Sequence, residues 1–202
     1  IERDAVDAKT AEFVARASGG HIGRARRLAT DANARQNRAN ILKLPLMIKD
    51  IASAFKAAQL LVDAAKADAL TDAEKKDEDE ISKLKEAWGS TGSKMVTGGS
   101  KAIKDLEKEQ KSRTTRMIRD SIDGALVDIA TVYRDVMFVQ SGTQGALINQ
   151  EFALDISKMA ERIPAAKTVA KIDAIMSART NLSHNAAPLL TLEALMCQLA
   201  QA

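Results

Sequence analysis

Apolar side chains return every three or four positions along almost the whole chain, the period of an amphipathic helix. Ala5, Ala8, Ala11, Phe13, Val14 and Ala17 mark a first helix. Ser18-Gly19-Gly20 ends it, because glycine accepts the left-handed conformation that closes many helices. A second helix is predicted from near Ile22 through Leu28 to about Thr30. Thr30-Asp31 can cap a third, extending through Arg35 and Ile41 toward Leu44, where Pro45 imposes a boundary or a kink. From Leu46 to Ala69, the residues Ile48, Ile51, Ala52, Phe55, Ala58, Leu61, Val62 and Ala65 form one apolar stripe. The stretch from Asp72 to Ala87 is mostly charge, with Ile81, Leu84 and the following Trp88 as its few apolar anchors. It reads as a solvated helix or one arm of a helical hairpin. Gly89, Gly92, Gly98 and Gly99, interleaved with Ser and Thr, predict a flexible break.

A long helix is predicted from about Lys101 to Val139. Its first half carries Lys101, Lys104, Lys108, Lys111, Arg113, Arg116 and Arg119 against Asp105, Glu107 and Glu109. Its second half is core, with Ile118, Ile122, Ala125, Leu126, Ile129, Val132, Tyr133 and Val136 on one broad face. Such a helix spans roughly 55 to 60 Å, more than the width of a compact domain. Its basic half is therefore expected to pair, antiparallel, with the acidic segment Asp72–Glu86, since the charges are complementary and the connection is short. After a break at Ser141-Gly142 and Gly145, three shorter helices are predicted near Glu151–Arg162, Ala165–Leu182 and Leu189–Ala200. Pro164 and Pro188 stand at the starts of the last two, where the missing N–H has no helical partner to lose. No segment alternates with the period of a strand. The pattern predicts an all-α protein: a helical bundle preceded by a short helical remnant, with a long charged helical hairpin.

Composition agrees. Of 202 residues, 46% are hydrophobic and only 3% aromatic, which suits helices, excludes a β-sandwich or barrel, and leaves ample material for a core. The lone Cys197 cannot form an internal disulfide or a multi-cysteine zinc site, which favours a reducing compartment. A net charge of +3 is too small to argue for nucleic acid by itself. No apolar run approaches the roughly 20 residues a membrane span needs. Ile1-Glu2-Arg3-Asp4 opens directly into a charged helical pattern without an initiator Met, so the chain reads as cut from a longer one.

Candidate chemistry is sparse. His21 and His184 are far apart and lack metal-spaced partners, so capping or surface roles are expected rather than zinc ligation. Cys197, between Met196 and Leu199, reads as a small buried hydrophobe. The acidic run lacks the order of a calcium loop, and the Gly-rich stretch lacks the Gly-Lys-Thr/Ser ending of a phosphate loop. No catalytic residue, metal or cofactor is expected. Two basic stretches remain open: Arg24 and Arg27 after the Gly19-Gly20 break, and the first half of the long helix. Each is either a solvent-facing stripe or a phosphate-binding surface.

Three stretches carry a family resemblance. The run Ser18–Ala29, with Gly20, Gly23 and Arg24, resembles the last lid helix of a clamp-loader AAA+ module. Gln110–Ala130, continued by Tyr133-Arg134-Asp135, is similar to the long collar helix of the bacterial delta-prime family, actinobacterial type. Asn185–Leu195 resembles the Asn-x-x-Pro-x-x-x-Leu-Glu pattern that closes that collar. The resemblance implies a lid remnant at 1–35 and a C-terminal helical collar at 36–202, carrying a charged insertion at about 70–115. It implies a non-catalytic part of the replicative clamp loader of DNA polymerase III, cytoplasmic and nucleoid-associated. The partners it implies are the delta and gamma/tau subunits directly, and the sliding clamp and primed DNA indirectly, with no membrane. The lid position that offers an arginine to nucleotide in ATP-hydrolysing relatives is occupied here by Gly23, with Arg24 one step on, which fits a non-hydrolysing subunit. Asn185, Pro188, Leu192, Glu193, Leu195 and Leu199 become the candidate subunit-interface residues.

The competing reading is a basic helical nucleic-acid-binding module without enzymatic activity, using Arg24, Arg27, Lys101, Lys104, Lys108, Arg113 and Arg116. A bundle enzyme with a metal or cofactor in its core would need buried Glu or His on facing helices, and the apolar stripes contain none.

Overall fold

The computed structural model describes residues 6–87 and 99–201, without side chains at 71, 72, 74 and 75. The described chain is all-helical. It runs α1 (Ala8–Ala17), α2 (Ile22–Thr30), α3 (Ala32–Met47), α4 (Ile51–Ala87), α5 (Gly99–Gln140), a short 3-10 turn (Gln150–Phe152), α6 (Ala153–Arg162), α7 (Ala165–Ser183) and α8 (Pro188–Ala200). Trp88 and the glycines at 89, 92 and 98 lie outside the described residues.

Local chemistry sets most boundaries. The Asp7 carboxylate accepts from Thr10 N at 2.9 Å, capping α1, and the Nδ1 of His21 accepts from Arg24 N at 3.1 Å, capping α2. Asp31 caps α3 through Asn33 N at 2.8 Å. Gly19 and Gly20 have φ of 58° and 83°, the left-handed values the turn between α1 and α2 requires. Pro45 lies inside the last turn of α3, so the helix runs to Met47 rather than stopping at Leu44. Proline loses only its own N–H bond there, and the real boundary is Ile48, in extended conformation. Asp50 and Ser53 then form a reciprocal cap: Asp50 Oδ1 accepts from Ser53 N at 2.8 Å, and Ser53 Oγ accepts from Asp50 N at 2.9 Å. That cap starts the next helix at Ile51, not Leu46. No Gly or Pro interrupts 51–87, so the apolar stripe and the acidic segment are one helix of 37 residues.

The packing divides the chain into two compact units, Ile1–Leu60 with Gly124–Ala202, and Leu61–Asp123. Residues 1–35 therefore share a unit with 124–202. In the first unit, Val14, Ala17, Leu28 and Ala34 form a small core joining α1, α2 and α3, with Phe13, Ala25 and Ala29 packed against it. Leu42, Leu126, Ile129, Val132, Tyr133, Val136, Ile156, Ile175, Leu192 and Met196 are almost fully buried. On the part of α4 that belongs to this unit the buried positions are Ala54, Ala57 and Ala58, while Ile51 and Phe55, expected inside, are 65% and 45% exposed.

In the second unit, α4 and α5 run antiparallel, as the charge pattern predicts. Ser121 reaches Asp68 at 3.4 Å, and one turn after another brings Arg113 to Asp77 and Glu80 at 2.6 Å each. Gln110 Nε2 donates to the Asp77 carbonyl at 3.0 Å and to Glu80 at 3.2 Å. Among the described residues Leu61, Val62, Ala65, Ala69, Ala73 and Ile122 are its buried apolar side chains.

Candidate functional site

The strongest concentration of buried polar chemistry lies in the first unit and joins α2, α3, α5 and the segment after α5. Arg38 on α3 is 3% exposed, and its guanidinium is divided among three acceptors. Its Nε donates to Asp128 at 2.9 Å, its Nη2 to the Asn149 side-chain carbonyl at 2.6 Å, and its Nη1 to Glu151 at 3.4 Å. Arg24 on α2 forms a second ion pair with Asp128, so that one carboxylate serves two guanidiniums. Asn149 in turn donates from Nδ2 to Thr131 and to Asp135, at 3.0 Å each, and from its backbone N to Asp135 at 2.8 Å. Asp135, fully enclosed, also accepts from Ile148 N at 3.1 Å and from Arg134 at 2.8 Å. Every charged member of this network faces a counter-charge or an amide, the condition under which buried charge is tolerated. Burial pushes the Asp128 carboxyl up from its ordinary value, and the Arg24 and Arg38 charges oppose that shift.

This network decides where Arg24 stands. The sequence leaves Arg24 open between a solvent-facing stripe and a phosphate-binding surface. Its side chain is 21% exposed and held against Asp128, with a further contact to the Gly124 carbonyl at 3.5 Å. Gly23 sits in the first turn of α2, where a Cβ would come 3.3 Å from the capping His21 ring. Gly20 serves the turn before it, and Arg27 is exposed.

The α8 candidates separate into two groups. Leu192, Leu195 and Leu199 are 0%, 2% and 5% exposed, because their spacing faces them to the chain's own core, where α8 packs on α7. Their side chains are taken up by the packing within the chain itself. Leu190 on the same helix is 67% exposed, and Glu193 is half-buried. Asn185 and Pro188 act on the backbone. Asn185, with φ of 65°, closes α7: its N–H bonds to the Leu182 carbonyl, and Ala186 N–H to the Asn181 carbonyl, at 3.1 Å each. Pro188 then opens α8 at its first position.

In the hairpin, Lys101, Lys104, Lys108 and Arg116 are exposed, whereas Arg113 is held by Asp77 and Glu80.

A cleft of about 190 Å³ opens in the first unit where three helices end. Lys49 follows α3, Arg162 closes α6, and Leu199 and Ala200 close α8. Lys171, from α7, is buried there and donates to the Leu199 and Gln201 carbonyls at 2.7 and 2.6 Å. Burial, with Lys167 and Arg162 nearby, pulls its ammonium below the ordinary lysine range. These cations offset the negative ends of the helices, which accounts for their gathering. Tyr133 forms part of the wall, and burial pushes its hydroxyl up.

Among the described residues, no group of three or more His, Cys, Asp or Glu is arranged to hold a metal, and no helix is long and apolar enough to cross a membrane. Cys197 is a half-buried free thiol.

Compared with models of protein families, with curated proteins and with solved structures, the chain matches none.

Proposed function

We propose that the chain is a non-catalytic assembly piece of a replicative clamp loader, the collar region of a delta-prime-type subunit, working in the cytoplasm during DNA replication. Its partners in this reading are the delta and gamma/tau collars, and through them the sliding clamp and primed DNA. The reading starts from the lid-like, collar-helix-like and collar-closing stretches, which occur in the order the family requires. The observation that carries it furthest is the amount of large apolar surface left outside the first unit's own core. Leu190 on α8, Leu154 on α6, and Val169 and Met176 on α7 are 67%, 80%, 46% and 40% exposed. Apolar side chains of that size, held on rigid helices, are what a protein–protein contact buries. The paired arginines on Asp128 add a second support: they tie the α2–α3 segment to the long helix, as a subunit transmitting position between its modules requires.

Mixing the 202-residue chain with delta and gamma/tau collar regions at micromolar concentration tests the proposal by size-exclusion chromatography. Co-elution in a heteromeric peak is expected. Separate elution of each component would overturn it.

A further inference from the structure

We propose that the outward face of α5 in the 61–123 unit is a docking surface for the phosphate backbone of duplex nucleic acid, contacted by Lys101, Lys104, Lys108 and Lys111. The inference is independent of the clamp-loader reading. At 3.6 residues per turn these four positions fall within an arc of about 80°. The carboxylates nearest in register, Asp105 and Glu107, lie to either side of that arc. Gln110 and Arg113, which bind α4, occupy the opposite side of the helix. The arm carrying Asp77, Glu78, Asp79 and Glu80 is therefore on the far side of the hairpin from the lysine row. All four lysines are exposed, and no hydrogen bond or ion pair within the described residues engages their ammonium groups.

Charge and spacing choose the occupant. The row rises about 15 Å from Lys101 to Lys111, and a duplex strand places a phosphate roughly every 3.4 Å of its axis. On their flexible stems the four ammonium groups can neutralise up to four phosphates of a strand winding past the row. The rest of the exposed arc is Ser112 and Thr115, with no apolar side chain to enter a lipid surface and no aromatic or aliphatic anchor of the kind that fixes a protein partner. Lysine is a point charge without the planar fork that reads bases, and no ring is present to stack on them. The face fits the backbone and is indifferent to sequence.

The test is fluorescence anisotropy of the full 202-residue chain with a labelled duplex of about 20 base pairs, alongside polyglutamate and anionic phospholipid vesicles as competing probes. Four phosphate contacts predict a log–log salt slope of about −3.6, a loss of roughly 150-fold in affinity between 50 and 200 mM salt. The combined variant K101Q/K104Q/K108Q/K111Q keeps helix-forming residues at every position, and circular dichroism confirms its fold. It is expected to bind at least about tenfold more weakly, with a slope near zero. The proposal is overturned by absence of saturable duplex binding at low salt, by a variant that binds like the parent chain, or by tighter lysine-dependent binding to polyglutamate or vesicles. None of these outcomes touches the assembly of the first unit with partner collars.

Discussion

Arg38 Nε and Asp128 Oδ1 meet at 2.9 Å across 90 positions of sequence, and both side chains are almost completely enclosed. Because Asp128 also holds Arg24, removing its carboxylate takes the closest counter-charge from two guanidiniums at once. Asp128→Ala is expected to cost about 3–5 kcal/mol of stability, read by urea denaturation. Replacing Arg24, Arg38 and Asp128 together by apolar residues of similar volume should recover much of that loss. A single-variant cost below about 1 kcal/mol would mean the network is solvated rather than buried.

Two glycines should respond with opposite signs. Gly145 has φ of 156°, and a Cβ there would stand 2.9 Å from the Phe138 ring, so Gly145→Ala is expected to cost about 1–3 kcal/mol. Gly124 lies in the interior of α5 with open space where a Cβ would go. Gly124→Ala should gain about 0.5–1 kcal/mol, visible as a higher Tm.

Acidification should loosen the hairpin. Hydrogen bonds from Arg113 and Gln110 hold the Glu80 carboxyl below its ordinary value of 4.5. A depressed acid contributes stability that is fully present above the ordinary value and is lost as pH falls through the folded-state one. Helicity followed from neutral pH into this acidic range should therefore fall less in Arg113→Met than in the parent chain, because the variant has already lost the contribution. Identical acid profiles would show that the pair carries no linkage.

On α8, burial predicts which leucines matter for folding and which for association. Leu192→Ala should cost about 2–5 kcal/mol, since the side chain is wholly enclosed. Leu190→Asp should alter stability by no more than about 0.5 kcal/mol, and should weaken co-elution with partner collars. Loss of stability at Leu190 with unchanged association would contradict this division.

Helix existence and most ends were legible because caps and breakers are local: Asp31, the Gly19-Gly20 pair, Pro164 and Pro188 act within a few residues of where they stand. The complementary charges of the two arms were enough to pair them. The end of α3 was not legible, because Pro45 is tolerated in a last turn and the Asp50–Ser53 cap outweighs the apolar continuity at Leu46–Ile48. The buried network left a signal that the apolar count passed over. Arg38 falls in register with Ala34 and Leu42, both buried, and Asp128 and Asp135 fall within the core face of α5. A charge at an apolar position asks for a buried partner, but which partner it finds depends on packing between helices about 90 residues apart. For the same reason α8 reads as apolar all round in sequence, while only packing on α7 separates Leu192, Leu195 and Leu199 from Leu190.

Native mass spectrometry of the chain mixed with delta and gamma/tau collar regions tests the proposed assembly role most directly. The account predicts a heteromeric ring species containing this chain, diminished in Leu190→Asp. A spectrum holding only the free chain, or only copies of itself, would contradict it.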